Sequence, residues 1–216
     1  MRVENRMKRD LVTLKPTDTF QRAMDLVRHR GIRHLPVVEG KRVVGIVTDR
    51  DIRQASASPA TSLSIHELHY LLDKITVADI MTKPVFTVRP EDTVEHAAQE
   101  LLTHRIGGLP VVKDGDLVGI ITETDVLQAF LDVMGITASS GRLELIVEDR
   151  QDTDSFREVC RIVAEEGGDI ASVVSAKAVR EGRERKALIF RVETPDFDSL
   201  IKRLKAAGYS VLSASR

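Results

Sequence analysis

The sequence has little cysteine, few aromatic residues and no long apolar run. Its single cysteine, Cys160, excludes an internal disulfide and any zinc site built from several cysteines, and is typical of a reducing compartment such as the cytoplasm. Trp is absent and only two Tyr and six Phe occur, so aromatic platforms for stacked bases are scarce. No stretch approaches the roughly 18 apolar residues of a membrane-spanning helix, and the first residues lack an apolar signal segment. We therefore expect a cytoplasmic protein that is neither exported nor membrane-spanning.

The charges are balanced. Lys and Arg number 32 and Asp and Glu number 33, so the chain offers no bulk attraction for nucleic acid or for an anionic membrane. The 216 residues, 30% charged and 42% hydrophobic, are typical of an ordinary folded protein of one or two domains. Any charged ligand must therefore be held by a few local residues.

An internal repeat organises the first 130 or so residues. At an offset of 74, residues 7–53 align without a gap with residues 81–127, and 16 of the 47 pairs are identical. The sequence Leu-Pro-Val-Val occurs at 35–38 and again at 109–112. A second signature, glycine, two apolar residues, threonine and then aspartate three positions later, occupies residues 45–51 and 119–125. The first half of the chain is therefore a duplication.

Each copy predicts a short strand, a helix, two strands and a second helix. Apolar residues at helical spacing predict the first helix of each copy, at Phe20, Ala23, Met24 and Val27 or at Val94, Ala97, Ala98 and Leu101. The strands are predicted at 36–38 and 43–48, and at 110–112 and 117–122, and the last helices begin at Thr48 and Thr122. Between the copies, Ile65, Leu68, Leu71, Leu72 and Ile75 predict a connecting helix with one apolar face.

This doubled pattern resembles a tandem pair of CBS domains, the regulatory unit also called a Bateman module. The resemblance places the first domain at 1–53, a connecting segment at 54–80 and the second domain at 81–135. It implies an α+β fold with a pseudo-twofold pair of β-α-β-β-α repeats. It also implies a regulatory ligand rather than a catalytic cofactor, namely an adenine nucleotide (AMP, ADP or ATP) or another adenosyl compound, and a homodimer.

The last third of the chain has a different pattern. After a linker of small residues, strands are predicted at 142–148, 170–179, 187–193 and 209–214, and helices at 155–166 and 197–207. The order βαββαβ is the ferredoxin-like plan, and residues 141–216 resemble an ACT domain, a small regulatory fold that often binds amino acids. Residues 149–154, which follow the first strand, contain no glycine, and this argues against an amino-acid site there.

The threonine and aspartate of each signature are the candidate ligand-binding groups. Thr48 with Asp51, and Thr122 with Asp125, have the spacing of a capping box, which is their ordinary structural interpretation. A helix start also presents N–H groups and a hydroxyl to phosphate, and a carboxylate accepts hydrogen bonds from both ribose hydroxyls. Resemblance to CBS pairs implies the same roles, with aspartate on ribose and threonine on phosphate.

The two sites are expected to differ. Arg50 lies in the first signature where Thr124 lies in the second, so a forked cation is available for phosphate in the first copy alone. Arg33 and His34 likewise correspond to two glycines, which changes charge and room beside the cleft. A bound purine would lie against aliphatic side chains, each of which is alternatively an ordinary core residue. The candidate wall residues are Val12, Ile32 and Pro36 in one copy and Met81, Val85, Ile106 and Pro110 in the other. Thr13, His34 and Gly108 are further candidate ligand-binding residues.

No catalytic constellation is apparent. The sequence lacks the nucleophile-elbow, Walker and His-Glu-x-x-His motifs. His66 and His69 are spaced i, i+3 on the connecting helix, but a solvated face is the simpler interpretation than a metal site. Cys160 falls on an apolar stripe with Phe156, Val159 and Val163, which indicates buried packing. The leading hypothesis is a non-enzymatic sensor of adenosyl ligands, and the alternative is a ligand-free dimeric scaffold for a partner enzyme.

Overall fold

The computed structural model describes residues 1–56, 74–136, 140–146, 152–180 and 183–215. These residues divide into two compact units, Met1–Ala129 and Phe130–Arg216. The predicted apolar face at 65–72, the two histidines between the repeats and residues 149–151 lie outside the described residues. Residues 152–154, predicted as loop, belong to a helix. No helix within the described ranges has the length and hydropathy needed to cross a membrane.

The first unit contains the two repeats, and their predicted elements are confirmed with small shifts of boundary. The first repeat comprises α1 (Phe20–Arg30), β1 (His34–Glu39), β2 (Arg42–Thr48) and α2 (Asp49–Ala55). After a short helix α3 (Val77–Ile80), the second comprises α4 (Val94–His104), β3 (Gly108–Lys113), β4 (Asp116–Thr122) and α5 (Glu123–Val133). In each repeat the two strands form an antiparallel hairpin in the same register, with His34 opposite Thr48 and Gly108 opposite Thr122.

The predicted leading strand of each repeat is much shorter than a strand. It consists of one parallel bridge, Leu14 to Val37 in the first repeat and Val88 to Val111 in the second. Two backbone hydrogen bonds fix the first bridge, from Leu14 N to Pro36 O (3.0 Å) and from Val38 N to Leu14 O (2.8 Å). Leu14 is 1% exposed, so the burial of its side chain helps to fix this segment in place of the further hydrogen bonds of a longer strand.

Local sequence signals explain where the first helices begin and end. Thr19 Oγ1 accepts a hydrogen bond from Arg22 N (3.2 Å) at the start of α1, and Thr93 Oγ1 does the same for His96 N (3.1 Å) at α4. Helix α1 ends at Gly31, whose φ of 64° lies in the left-handed region that favours glycine. Phe20 and Ala23 are fully buried, as their spacing predicts.

The segments that precede the repeats are exchanged between them. Val3 and Met7 belong to the core of the second repeat, and Val77 belongs to the core of the first, where Met81 also packs. A Cβ atom at Gly45 would lie 2.2 Å from Met81 Sδ, and the distance at Gly119 to Met7 Sδ would be 2.5 Å. Each signature therefore has glycine because the methionine of the other repeat's leading segment lies on that strand. This exchange departs from the contiguous boundaries 1–53 and 81–135 that the repeat suggests.

The second unit has the predicted βαββαβ order and the ferredoxin-like topology. Its elements are β5 (Gly141–Ile146), α6 (Asp152–Glu165), β6 (Asp169–Arg180), β7 (Arg183–Glu193), α7 (Phe197–Ala206) and β8 (Ser210–Ser215). The sheet order is β6-β7-β5-β8, and all pairs are antiparallel. The core includes Leu143, Leu145, Phe190, Leu200 and Leu204. The ladder of β6 and β7 extends further into the charged segment than predicted, as far as Arg180 and Arg183, because main-chain groups make it.

Cys160 is half-buried rather than buried, which corrects the packing prediction. Val159 and Val163 are buried on α6, but Phe156 is 41% exposed, and Ile162, which was not predicted, lies in the core. The cysteine therefore lies at the flank of the apolar stripe. Burial raises the pKa of its thiol, which disfavours the reactive thiolate.

Candidate functional site

The threonine and aspartate of each signature form the predicted capping arrangement. At the start of α2, Asp51 Oδ2 accepts hydrogen bonds from Thr48 N (2.7 Å) and Thr48 Oγ1 (2.7 Å), and Thr48 Oγ1 accepts one from Asp51 N (3.3 Å). At the start of α5, Asp125 Oδ2 accepts from Thr122 N (2.9 Å) and Thr122 Oγ1 (2.5 Å). The capping box is therefore confirmed at α2, and at α5 the carboxylate half of the box is observed. Each of these caps uses one oxygen of its carboxylate.

The first pocket opens beside Thr48 and Asp51 and has a cavity of about 390 Å³. The signature of the first repeat contributes Thr48, Arg50 and Asp51 to its polar rim, and Arg105 and Glu123 of the second repeat complete that rim. Its apolar wall comes from the second repeat, with Ile46 of the first repeat beside it. The wall residues of the second repeat are Pro84, Val85, Phe86 and Ile106.

The second pocket opens beside Thr122 and has a cavity of about 490 Å³. Its rim comes from the second signature, including Thr124, and Ile120 lies beside it. Its apolar wall comes from the first repeat. The wall residues of the first repeat are Leu11, Val12, Ile32 and Pro36.

Each pocket therefore combines the rim of one repeat with the wall of the other. This arrangement corrects the grouping of candidate residues by copy, because Val85 and Ile106 face Asp51 rather than Asp125. The exchanged leading segments provide the physical reason. Residues 7–8 pair with β4 and residues 81–82 pair with β2, so the chain that follows each segment lines the pocket of the other repeat.

The structure brings twelve of the sixteen candidate residues into the linings of the two pockets, and His34 belongs to both. The first pocket contains Thr48, Arg50, Asp51, His34, Val85, Ile106 and Gly108, and the second contains Thr122, Thr124, His34, Val12, Ile32 and Pro36. Four candidates line neither pocket: Thr13, Met81, Pro110 and Asp125. Met81 is used in the packing against Gly45, and Pro110 is buried within β3, so these two belong to the core. Asp125 borders the second pocket through its contact with Lys8, which does line it.

His34 lies where the two pockets meet. A Cβ atom at Gly107 would lie 2.8 Å from His34 Nε2, and one at Gly108 would lie 3.0 Å from His34 Cδ2. The two glycines therefore make room for a single imidazole that lines both pockets. Burial lowers the pKa of His34 and the Arg33 charge lowers it further, against the opposing effect of Asp49, Glu123 and Asp125. The imidazole is consequently held in its neutral form.

Sequence reasoning missed several pocket residues, among them Phe86, Arg105 and Lys8. Phe86 stacks on the His104 ring with centroids 3.5 Å apart, and it lines the first pocket at the position where the second pocket has Val12. Arg105 lines the first pocket together with Arg33 and Arg50, and Lys8 lines the second. Comparison of equivalent positions in the repeat could have found all of them, since each differs from its partner 74 residues away. In the described residues no group of three or more His, Cys, Asp or Glu side chains could hold a metal ion.

Two similar repeats with two exchanged pockets define a tandem pair of domains, and the family comparison agrees. The CBS domain family matches residues 3–58 and 77–132, together just over half of the chain. The chain therefore belongs to the CBS-domain proteins, in a tandem arrangement.

Three solved structures have a fold similar to that of this chain, and one of them is a protein assigned to acetoin utilization. A Vibrio cholerae protein assigned as AcuB is 32% identical, with a TM-score of 0.52 over 62% of this chain and 93% of that protein. The CBS domain pair of protein MJ0100, in complex with 5-methylthioadenosine and S-adenosyl-L-methionine, is 28% identical with a TM-score of 0.50, over 60% of this chain and 95% of that one. CBSX2 in complex with AMP is 31% identical with a TM-score of 0.50, over 60% and 96%.

Some relatives are enzymes that contain a similar region. An inosine-5'-monophosphate dehydrogenase from Korarchaeum cryptofilum is 34% identical over 145 residues, which cover 67% of this chain. The similarity spans only 27% of that enzyme's length. The likeness therefore concerns the CBS region.

Proposed function

We propose that this protein is a non-enzymatic sensor that binds adenosyl ligands in its two exchanged pockets. The observation that carries the proposal is the free oxygen of Asp51. Its Oδ2 serves the helix cap, and among the described residues Oδ1 has no partner. Asp51 lies beside a cavity whose wall from the second repeat is apolar. A carboxylate of this kind can accept hydrogen bonds from vicinal ribose hydroxyls, while the wall accepts a purine.

The remaining residues of the first pocket fit the rest of a nucleotide. Ile46, Val85 and Ile106 provide apolar contacts for a base, and the cavity of about 390 Å³ lies within the usual range for small-molecule sites. Arg50 and Arg105 supply cations for phosphate oxygens. The complexes of MJ0100 and CBSX2 with adenosyl compounds support the same ligand class.

Ligand binding would itself be the signal. Because each pocket spans both repeats, a bound ligand favours one arrangement of the repeats through its differential affinity for that arrangement. The ACT-like C-terminal unit, a second copy of the chain or a partner enzyme would respond to the shift. The AcuB assignment of the Vibrio cholerae relative supports a link to acetoin metabolism.

Isothermal titration of the full chain with AMP, ADP, ATP and S-adenosylmethionine tests the proposal. We expect heat and a rise in Tm with at least one of these ligands, because a ligand that binds the folded state stabilises it. Neither heat nor a thermal shift with any of the four would instead favour the alternative, a ligand-free dimeric scaffold for a partner enzyme.

Arg50 is expected to favour phosphorylated ligands. Substitution R50A should lower the affinity for ATP about tenfold and leave the affinity for adenosine nearly unchanged, because a charge-assisted contact to phosphate contributes about 1.5 kcal/mol. Titration of both ligands into the variant measures the difference. The matched control is T124A at the equivalent position of the second repeat, which removes no cation. Equal losses for ATP and adenosine in R50A would contradict the assignment.

A further inference from the structure

The two pockets differ sharply at one equivalent pair of positions, Lys8 and Thr82. Lys8 N donates to Ile120 O (2.8 Å) and Lys8 O accepts from Ile120 N (3.0 Å). Thr82 N donates to Ile46 O (2.8 Å) and Thr82 O accepts from Ile46 N (3.3 Å). The two backbones are therefore anchored in the same way, and the pockets differ here by side chain alone.

The side-chain difference determines whether the second carboxylate oxygen of the signature aspartate has a partner. Lys8 Nζ lies 3.6 Å from Asp125 Oδ1, while Oδ2 accepts the two hydrogen bonds from Thr122. Both oxygens of Asp125 are thus engaged within the protein. In the first pocket, where Thr82 carries no charge, Asp51 Oδ1 has no partner in the described part of the chain.

This difference sets what each pocket requires of its ligand. A neutral nucleoside that binds Asp125 must displace the ammonium group of Lys8 from the carboxylate, and it carries no anionic group that could pair with Lys8 instead. An anionic ligand supplies a new partner for Lys8, whose side chain is 64% exposed and free to rotate. Two acidic residues, Asp10 and Glu123, and two basic residues, Arg30 and Arg33, also line this pocket. Because their charges balance, they supply no net charge to replace the pairing between Lys8 and Asp125.

We propose that Lys8 makes the second pocket selective for adenosyl ligands that carry an anionic group, whereas the first pocket also accepts neutral ones. The inference rests on the proposed function, because it assumes that the pockets bind adenosyl ligands. It deepens that function by making the two pockets respond to different ligands of one class.

The test compares adenosine and AMP in single-pocket variants of the full chain. The D51A background removes ligand binding at the first pocket. In this background, K8M should raise the affinity for adenosine about threefold and lower the affinity for AMP about fivefold. Changes of this size are typical of a partly exposed ion pair. In a D125A background, T82K should do the reverse in the first pocket, weakening adenosine and tightening AMP. Circular dichroism and Tm establish that each variant is folded.

The outcomes separate this inference from the proposed function. Shifts of opposite sign for the two ligands in K8M, reversed in T82K, support the role of Lys8. If wild-type protein binds both ligands but K8M changes them equally, the selectivity inference fails while the sensor function stands. If wild-type protein binds neither ligand nor any other adenosyl compound, the proposed function itself fails.

Discussion

Replacement of Asp51 by alanine should weaken AMP binding at the first pocket by about 10- to 100-fold. A hydrogen bond to a charged group contributes about 1.5–3 kcal/mol, and the Oδ1 atom would accept from ribose hydroxyls in a partly water-excluded cavity. Asp49, the adjacent carboxylate on the same helix, is paired with Arg53. Titration of AMP into the D51A variant measures the loss as a missing or weakened site.

The control for this variant must account for the lost helix cap. Asp79 caps α3 with the same geometry, accepting from Thr76 N (2.8 Å) and Thr76 Oγ1 (2.7 Å), but lies outside both pockets. D79A should therefore remove a comparable helix cap while leaving AMP affinity unchanged. An unchanged AMP affinity in a folded D51A variant would remove Asp51 from the site.

Truncation of Leu101 should cost the first unit about 2–5 kcal/mol of unfolding free energy. Leu101 is 3% exposed in the core of the second repeat, so alanine would leave a cavity as well as lose buried apolar surface. Its neighbour Leu102 is 78% exposed on the same helix. The variant L102A should therefore change the unfolding free energy by less than about 0.5 kcal/mol.

Urea denaturation of the two leucine variants under the same conditions gives the comparison. A drop in the denaturation midpoint for L101A with an unchanged slope shows a loss of stability rather than a change in the unfolded state. If L102A lost as much stability as L101A, the exposed face of α4 would have to be buried in an assembly. Equal stability of L101A and wild type would contradict the assigned core.

The exchange of leading segments has a functional consequence. A ligand in the first pocket touches the rim of one repeat and the wall of the other, so its affinity depends on how the two repeats are placed. A pocket built within a single repeat would lack this dependence. His34 also connects the two sites. Gly107 and Gly108 have no side chains, which leaves room for the His34 ring, and this ring lines both cavities.

Patterns that are local in sequence determined much of this protein. The spacing of Phe20 and Ala23 predicted α1, and the Thr48 and Asp51 spacing predicted a cap, because neighbours along the chain make these contacts. The duplication itself identified the tandem CBS pair. In the C-terminal unit, alternation and helical periodicity were enough for the βαββαβ order, although not for the full length of β7.

The tertiary structure alone decided which residues share a pocket. Lys8 and Asp125 are more than a hundred residues apart, and so are Met7 and Gly119, so no periodicity relates them. The single imidazole between the pockets likewise depends on two glycines in the other repeat. Contacts of this kind form only when whole repeats pack together, because their free energy comes from burying surfaces that the chain brings together last.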